Sequence, residues 1–229
     1  MLRAFCLFML LLACAACGRA LTTAERDFMA GIQGTTFDPA PVRITRNPLI
    51  GLNSVTYPVR PRTTCRERIL PPAEGPTITG STAGIVLFRT LHTRPAFFLD
   101  DYILRRDGSV HLVAAMFFAH EMTHVWQWQN RDVTDYHPAR AFAEHLSTQD
   151  PYLFDGDSAF DFLEYGYEQQ ASLVEEYVCC RALDPNGART DRLEELLGVY
   201  MPINQHLSFL DDRPIQLPWD GVEIGGICA

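Results

Sequence analysis

One segment constrains this chain more than any other. From Val110 to about Asn130 it contains no Pro or Gly and is rich in good helix formers, so a helix is expected there. Asp107-Gly108-Ser109 stops whatever precedes it, with Ser109 as the expected N-cap. The first turns are apolar nearly all round, which predicts a buried central helix rather than a surface one. Within it lies His120-Glu121-Met122-Thr123-His124. Helical periodicity puts His120, Thr123, His124 and Gln127 on one face, with the two imidazoles roughly 6 Å apart at Cβ. Glu121 falls about 100° further round the axis, which directs its carboxylate past an ion toward water. Two His one turn apart with a carboxylate between them form the arrangement that a catalytic zinc site needs, with Zn2+ as cofactor and Glu121 as general base. The plain alternative is a pair of hydrogen-bonded core histidines, and the cost of burying two imidazoles and a carboxylate without an ion stands against it.

A hydrolytic zinc site has three protein ligands and one open position, so a third ligand must come from elsewhere. One subclass extends the motif to a His six residues after the second, preceded by a Gly. Those positions are Asn130 and Gln127 here, which excludes that subclass. The segment from Asp161 to Leu183, ended by Pro185 and Gly187, reads as a second helix. Glu164, Glu168 and Glu175 fall on one stripe of it, opposite Leu163, Val174 and Val178. A solvated acidic face is the plain explanation of such a stripe. Beside a two-His helix that lacks a ligand, one of these carboxylates becomes the favoured candidate.

Four blocks then carry a resemblance: Leu21-Thr-Thr-Ala-Glu-Arg, Pro41-Val-Arg-Ile44, the run from His120 to Gln127, and Tyr165-Gly-Tyr-Glu-Gln-Gln-Ala171. Together they resemble a bacterial family of zincin metallopeptidases whose members are often labelled Vgr-related proteins, over about Leu21 to Ala182. The resemblance implies a site in which His120 and His124 ligate zinc, Glu121 is the base and Glu168 is the third ligand. It also implies an α+β, zincin-like fold: a central motif helix packed on a small sheet, with a second Glu-bearing helix supplying that ligand. Zincins with a Glu ligand commonly carry an Asp four residues later that orients a His. Ser172 stands there, which leaves Glu164 or Glu175 for that role and makes Gln127 a further candidate on the zinc face.

Residues 1–17 hold one basic residue, Arg3, and then an apolar run from Ala4 to Ala16. Such a run is shorter than the roughly 20 residues that cross a bilayer core, so residues 1–17 read as a signal peptide and residues 18–229 as a single domain. Cys14 and Cys17 each end a sequence that approximates a lipoprotein cleavage box, while cleavage after a small-x-small triplet is equally readable. Either route predicts export, to the periplasm or envelope as a lipoprotein or as a secreted protein. In an oxidising compartment Cys65, Cys179, Cys180 and Cys228 can form two bridges. Cys179 and Cys180 point about 100° apart on a helix and so seek different partners, in bridges to Cys65 and Cys228. Two small buried hydrophobes are the alternative.

A hydrophobic content of 47% and a charged content of 21% are globular values. The net charge of −9, with no basic block, disfavours a nucleic-acid partner. Thr22 to about Gly31 reads as a helix with a capping box, and Thr190 to Tyr200 as an amphipathic one. Strands are expected at Val42–Thr45, Ser54–Tyr57, Gly84–Leu91 and Ala96–Leu99, with a sheet edge to which an extended peptide can add. Residues 131–160 read as a polar connection.

A zinc peptidase is the first function these features suggest, with a peptide or protein as substrate and Tyr165, Tyr167, His137 or His145 as candidate oxyanion donors. A non-catalytic, zinc-stabilised accessory module of a secretion or envelope system, and a zinc amidase acting on cell-wall material, are the alternatives.

Overall fold

The computed structural model describes residues 18–148, 150–155, 160–203 and 208–229, so the expected leader and Cys14 and Cys17 lie outside the described residues. Helices and small sheets are mixed, giving an α+β architecture. In chain order the helices are α1 (Thr23–Ile32), α2 (Cys65–Ile69), α3 (Leu112–Gln129), α4 (Arg131–Thr134), α5 (Pro138–Ser147), α6 (Tyr167–Leu183), α7 (Ala188–Gly198) and α8 (Ser208–Asp211). The strands are β1 (Arg43–Arg46), β2 (Ser54–Pro58), β3 (Thr77–Ser81), β4 (Gly84–Leu87), β5 (Thr90–Thr93), β6 (Val110–His111) and β7 (Ile215–Gln216).

Helices α3 and α6 form the centre and pack against each other more extensively than any other pair of described elements. Both are buried around nearly their whole circumference. The glutamates of α6 therefore do not form a solvated face: Glu168, Glu175 and Glu176 are all buried. Apolar residues of α3 and α6 such as Ala115, Phe118, Met122, Leu173, Val174 and Val178 are fully enclosed, as are Phe28 and Ile32 of α1. Each such Leu, Val, Phe or Met contributes about 1.5–3 kcal/mol on burial, which offsets the cost of enclosing charge in the same layer.

Strand order β1-β5-β4 makes a three-stranded sheet, with β1 parallel and β4 antiparallel to β5. Strand β4 is an edge and lies against α3. The expected strand Gly84–Leu91 is in fact this hairpin, because Phe88 turns the chain with a positive φ of 60°. That conformation is strained for a bulky side chain, and the ring is seated edge-on against Trp128 at 4.7 Å.

Several other expectations are corrected. Ser109 does not cap α3: its N–H and hydroxyl both donate to Asp107, and pairing of β6 with β7 keeps the backbone extended through His111. His111 is the cap, its Nδ1 accepting from the Ala114 N–H at 3.3 Å. The apolar run 96–99 is no strand; Pro95, with its fixed φ, opens a 3-10 turn over Pro95–Phe97. The connection 131–160 carries α4 and α5, the latter started by Pro138 and capped by the His137 Nδ1.

The second helix begins at Tyr167, not Asp161, because Asp161 and Glu164 cap a separate 3-10 turn over Phe162–Glu164. Helix α1 has the expected capping box, in which Thr22 and Glu25 satisfy each other's backbone N–H groups.

Two disulfides, Cys65–Cys179 and Cys180–Cys228, join α6 to α2 and to the tail as expected. Cys65, Cys180 and Cys228 lie close together, but all three are consumed in these bridges and offer no thiolate to a metal. Among the described residues no helix is long and apolar enough to cross a membrane.

Candidate metal centre

Packing of α6 on α3 brings Glu168 to the paired imidazoles. Its Oε2 lies 3.2 Å from His120 Nε2 and 3.3 Å from His124 Nε2, and the ligand atoms of the three residues lie within 4.8 Å of one another. All three are only 5–7% exposed. A tetrahedron with bonds of about 2.0–2.1 Å has edges of about 3.3–3.4 Å, so both the donor types and the spacing fit zinc.

The second nitrogen of His124 is hydrogen-bonded, whereas that of His120 only faces a carboxylate. Gln127 Oε1 lies 2.8 Å from His124 Nδ1, while Gln127 Nε2 donates to Gln170 Oε1 at 2.9 Å and to the Tyr167 carbonyl at 3.0 Å. With the amide nitrogen committed as donor, Oε1 must accept. His124 Nδ1 therefore carries a proton, and Nε2 is the ring atom that faces Glu168. On the other ring, His120 Nδ1 faces Glu175 Oε2 at 3.4 Å, and the same oxygen accepts from Arg66 Nη1 at 2.9 Å.

Of the residues considered for orienting a His, Gln127 and Glu175 reach the site. Glu164 does not; its carboxylate accepts from the Asp161 N–H at 2.8 Å in the capped turn before α6.

Electrostatics follow from this crowding. Burial alone would lower the His120 imidazole, but the Glu168 and Glu175 carboxylates outweigh it and push it up to about 10. For Glu168, burial is outweighed by His124, His120 and His145, which hold the carboxyl far below the usual carboxylate range. Glu175 is likewise lowered, as Arg66 and His120 overcome its burial. A divalent cation competes with protons for these lone pairs.

Glu121 differs from its neighbours. Burial raises its carboxyl, and among the described residues no hydrogen bond or ion pair holds it. It sits beside the start of β4, so close that a Cβ built on Gly84 would meet Glu121 Oε1 at 3.0 Å and Phe117 at 2.9 Å.

The four candidate oxyanion donors mostly lie elsewhere. Tyr165 spends its hydroxyl on the Asp155 carbonyl, Tyr167 on the Asp135 carbonyl, and His137 caps α5 beside Phe88 and Trp128. His145 does reach the centre, but at Glu168, with its Nε2 3.0 Å from Oε1.

Two tyrosines that sequence reasoning missed line the rings. Tyr136 stacks on His124 at 6.0 Å, and Tyr152 packs against His120 at 5.8 Å. Burial, reinforced by Glu168 and Glu121, raises both phenols and keeps them protonated. Their spacing from the motif carries no helical or strand period, so no local signal points to them.

No protein-family model matches the chain, and no curated protein matches it. Among solved structures, the effector domain of Pseudomonas aeruginosa VgrG2b is similar to it, with a TM-score of 0.49 and 18% identity over 81% of this chain and 85% of that one. A likeness of this size bears on neither activity nor partners, so the chemistry of the centre is read from its own residues.

Proposed function

We propose that the chain is a zinc-dependent hydrolase of the zincin kind, a peptidase in which His120, His124 and Glu168 hold the metal. The observation that carries this reading is Glu121: a buried carboxylate beside three convergent ligands, with no structural hydrogen bond among the described residues. A purely structural metal clamp needs no such group.

Zinc, when bound, supplies Lewis acidity that polarises a carbonyl and acidifies water. Glu121 takes the proton of the attacking water and returns it to the departing amide nitrogen. Protonated Tyr136 and Tyr152, whose rings pack against the two imidazoles, are the candidate phenolic donors for a developing oxyanion in this reading.

An extended peptide suits the position of β4. The strand is a sheet edge that starts beside Glu121, so its outer backbone groups can pair with a substrate main chain and lay it across the centre. Two disulfides belong to an oxidising compartment, which supports export. Residues 1–17 serve as the leader in this reading, with a lipid anchor on Cys14 or Cys17 or soluble release as the two routes, and residues 18–229 form the mature domain.

The test is metal analysis of the purified protein together with cleavage of a mixed library of extended peptides, run beside Glu121→Gln. One zinc per chain and wild-type cleavage that disappears in the variant are expected. Zinc bound with no cleavage of peptides, envelope proteins or cell-wall amides would leave the structural clamp as the function.

A further inference from the structure

Glu168 has two oxygens, and only Oε2 faces the paired imidazoles. Oε1 is turned the other way, toward His145 Nε2 at 3.0 Å. A carboxylate flanked in this way only accepts, so His145 Nε2 is the donor. The adjacent residue completes the arrangement: Glu144 Oε1 accepts from the Tyr167 N–H at 2.9 Å, and Glu144 Oε2 from the Glu168 N–H at 3.1 Å.

Those N–H groups belong to the first turn of α6, where backbone donors lack helical partners and a carboxylate is favoured. The approach is close: a Cβ at Gly166 would meet the Glu144 carboxylate at 3.2 Å, so that side chain would have to give by a few tenths of an ångström. Two consecutive residues of α5 therefore hold both the backbone and the side chain of one residue on α6. The His145 ring is itself steadied by Tyr152 at 5.5 Å, which also packs against His120.

We propose that His145 is a positioning residue that confines Glu168 to ligation through Oε2 alone, with Glu144 fixing the backbone beneath it. The proposal rests on the metal-site reading above. His145 is not a ligand itself: the group whose donor atoms converge is His120, His124 and Glu168, without it.

The consequence concerns coordination number. A hydrolytic centre needs three protein ligands and a free position. A Glu168 released from His145 can swing Oε1 inward and ligate through both oxygens, filling the position that water and substrate need. Holding one oxygen outward keeps that position open, and the hydrogen bond also sets the direction in which Oε2 points.

The experiment uses the purified chain loaded with cobalt(II), whose visible bands are intense in four-coordinate sites and weaken as coordination rises, together with zinc competition against a chelating dye. For His145→Ala we expect the cobalt bands to weaken and zinc affinity to fall about 10–100-fold. His145→Gln, which keeps an N–H donor, restores both in part, and Leu146→Ala, on the exposed side of the same helix, changes neither.

An unchanged cobalt spectrum and zinc affinity in His145→Ala would overturn the proposal while leaving the metal site intact. Equal losses in Leu146→Ala would overturn it too, since they would trace to the helix rather than the hydrogen bond. If the wild-type chain takes up neither metal, the site reading itself fails, and this proposal with it.

Discussion

Glu175 faces His120 across the α3–α6 interface, its Oε2 3.4 Å from His120 Nδ1. The same oxygen lies 2.9 Å from Arg66 Nη1, so one buried carboxylate couples a ring of the candidate metal group to α2. Orienting groups of this kind typically change metal affinity 10–100-fold. Glu175→Ala is therefore expected to weaken zinc by about that factor, and Arg66→Ala by less, because the carboxylate stays in place. Dye competition measures both, and a Glu175→Ala protein with wild-type affinity would remove the residue from the site.

Glu168→Ala removes the oxygen that both imidazoles face. Zinc should be lost or bound at least 100-fold more weakly, with two imidazoles left to compete for the metal. Equilibrium dialysis against a buffered zinc series tests this, and full retention would assign the third position to another group.

Glu121→Gln keeps the shape of the side chain and removes its ability to take a proton. Zinc stoichiometry is expected to stay at wild-type level while turnover falls by about 10²–10⁴-fold, the usual worth of a general base. An unchanged rate would end that assignment.

Gly84→Ala should separate the metal from catalysis in another way. The added methyl meets the Phe117 ring at 2.9 Å and Glu121 Oε1 and Leu91 at 3.0 Å, so these side chains or the edge strand must give, and the prediction is that the Glu121 carboxylate moves with them. Because displacements near 1 Å in a catalytic constellation cost on the order of 100-fold, hydrolysis should fall by about that much with zinc content unchanged.

The Cys65–Cys179 bridge encloses 114 residues of sequence separation and Cys180–Cys228 encloses 48. Loop entropy grows slowly with length, so removing either bridge should cost a similar 2–5 kcal/mol in denaturant melts. Zinc affinity should distinguish them. Only the first anchors α2, which carries Arg66 to Glu175, so Cys65→Ser with Cys179→Ser should weaken zinc more than Cys180→Ser with Cys228→Ser.

The helices and the motif were legible because their causes are local. Thr22 and Glu25 cap α1 through groups three residues apart, and the pair His120 and His124 share a face by helical period alone. Misreadings occurred where a local signal was ambiguous or was overridden. Ala96–Leu99 has strand composition, yet Pro95 makes it a turn. Glu164 has helical spacing to Glu168 on paper, but a capped turn and an extended Tyr165 break the register between them. Helix α5, with Glu144 and His145, lay hidden in a stretch whose polar composition resembles a loop.

What the sequence determined by itself was the helix that carries His120, Glu121 and His124, and the partners open to the paired cysteines, since these follow from periods of a few residues. Tertiary structure decided which acid closes the site, which oxygen of Glu168 points inward, and which side chains hold each ring. Glu168 meets His120 across 48 residues of chain, and Glu175 meets Arg66 across 109. Contacts of that range are set by how two buried helices pack and by what flanks them. No spacing along the chain records that, because side chains so far apart meet only after the core has closed.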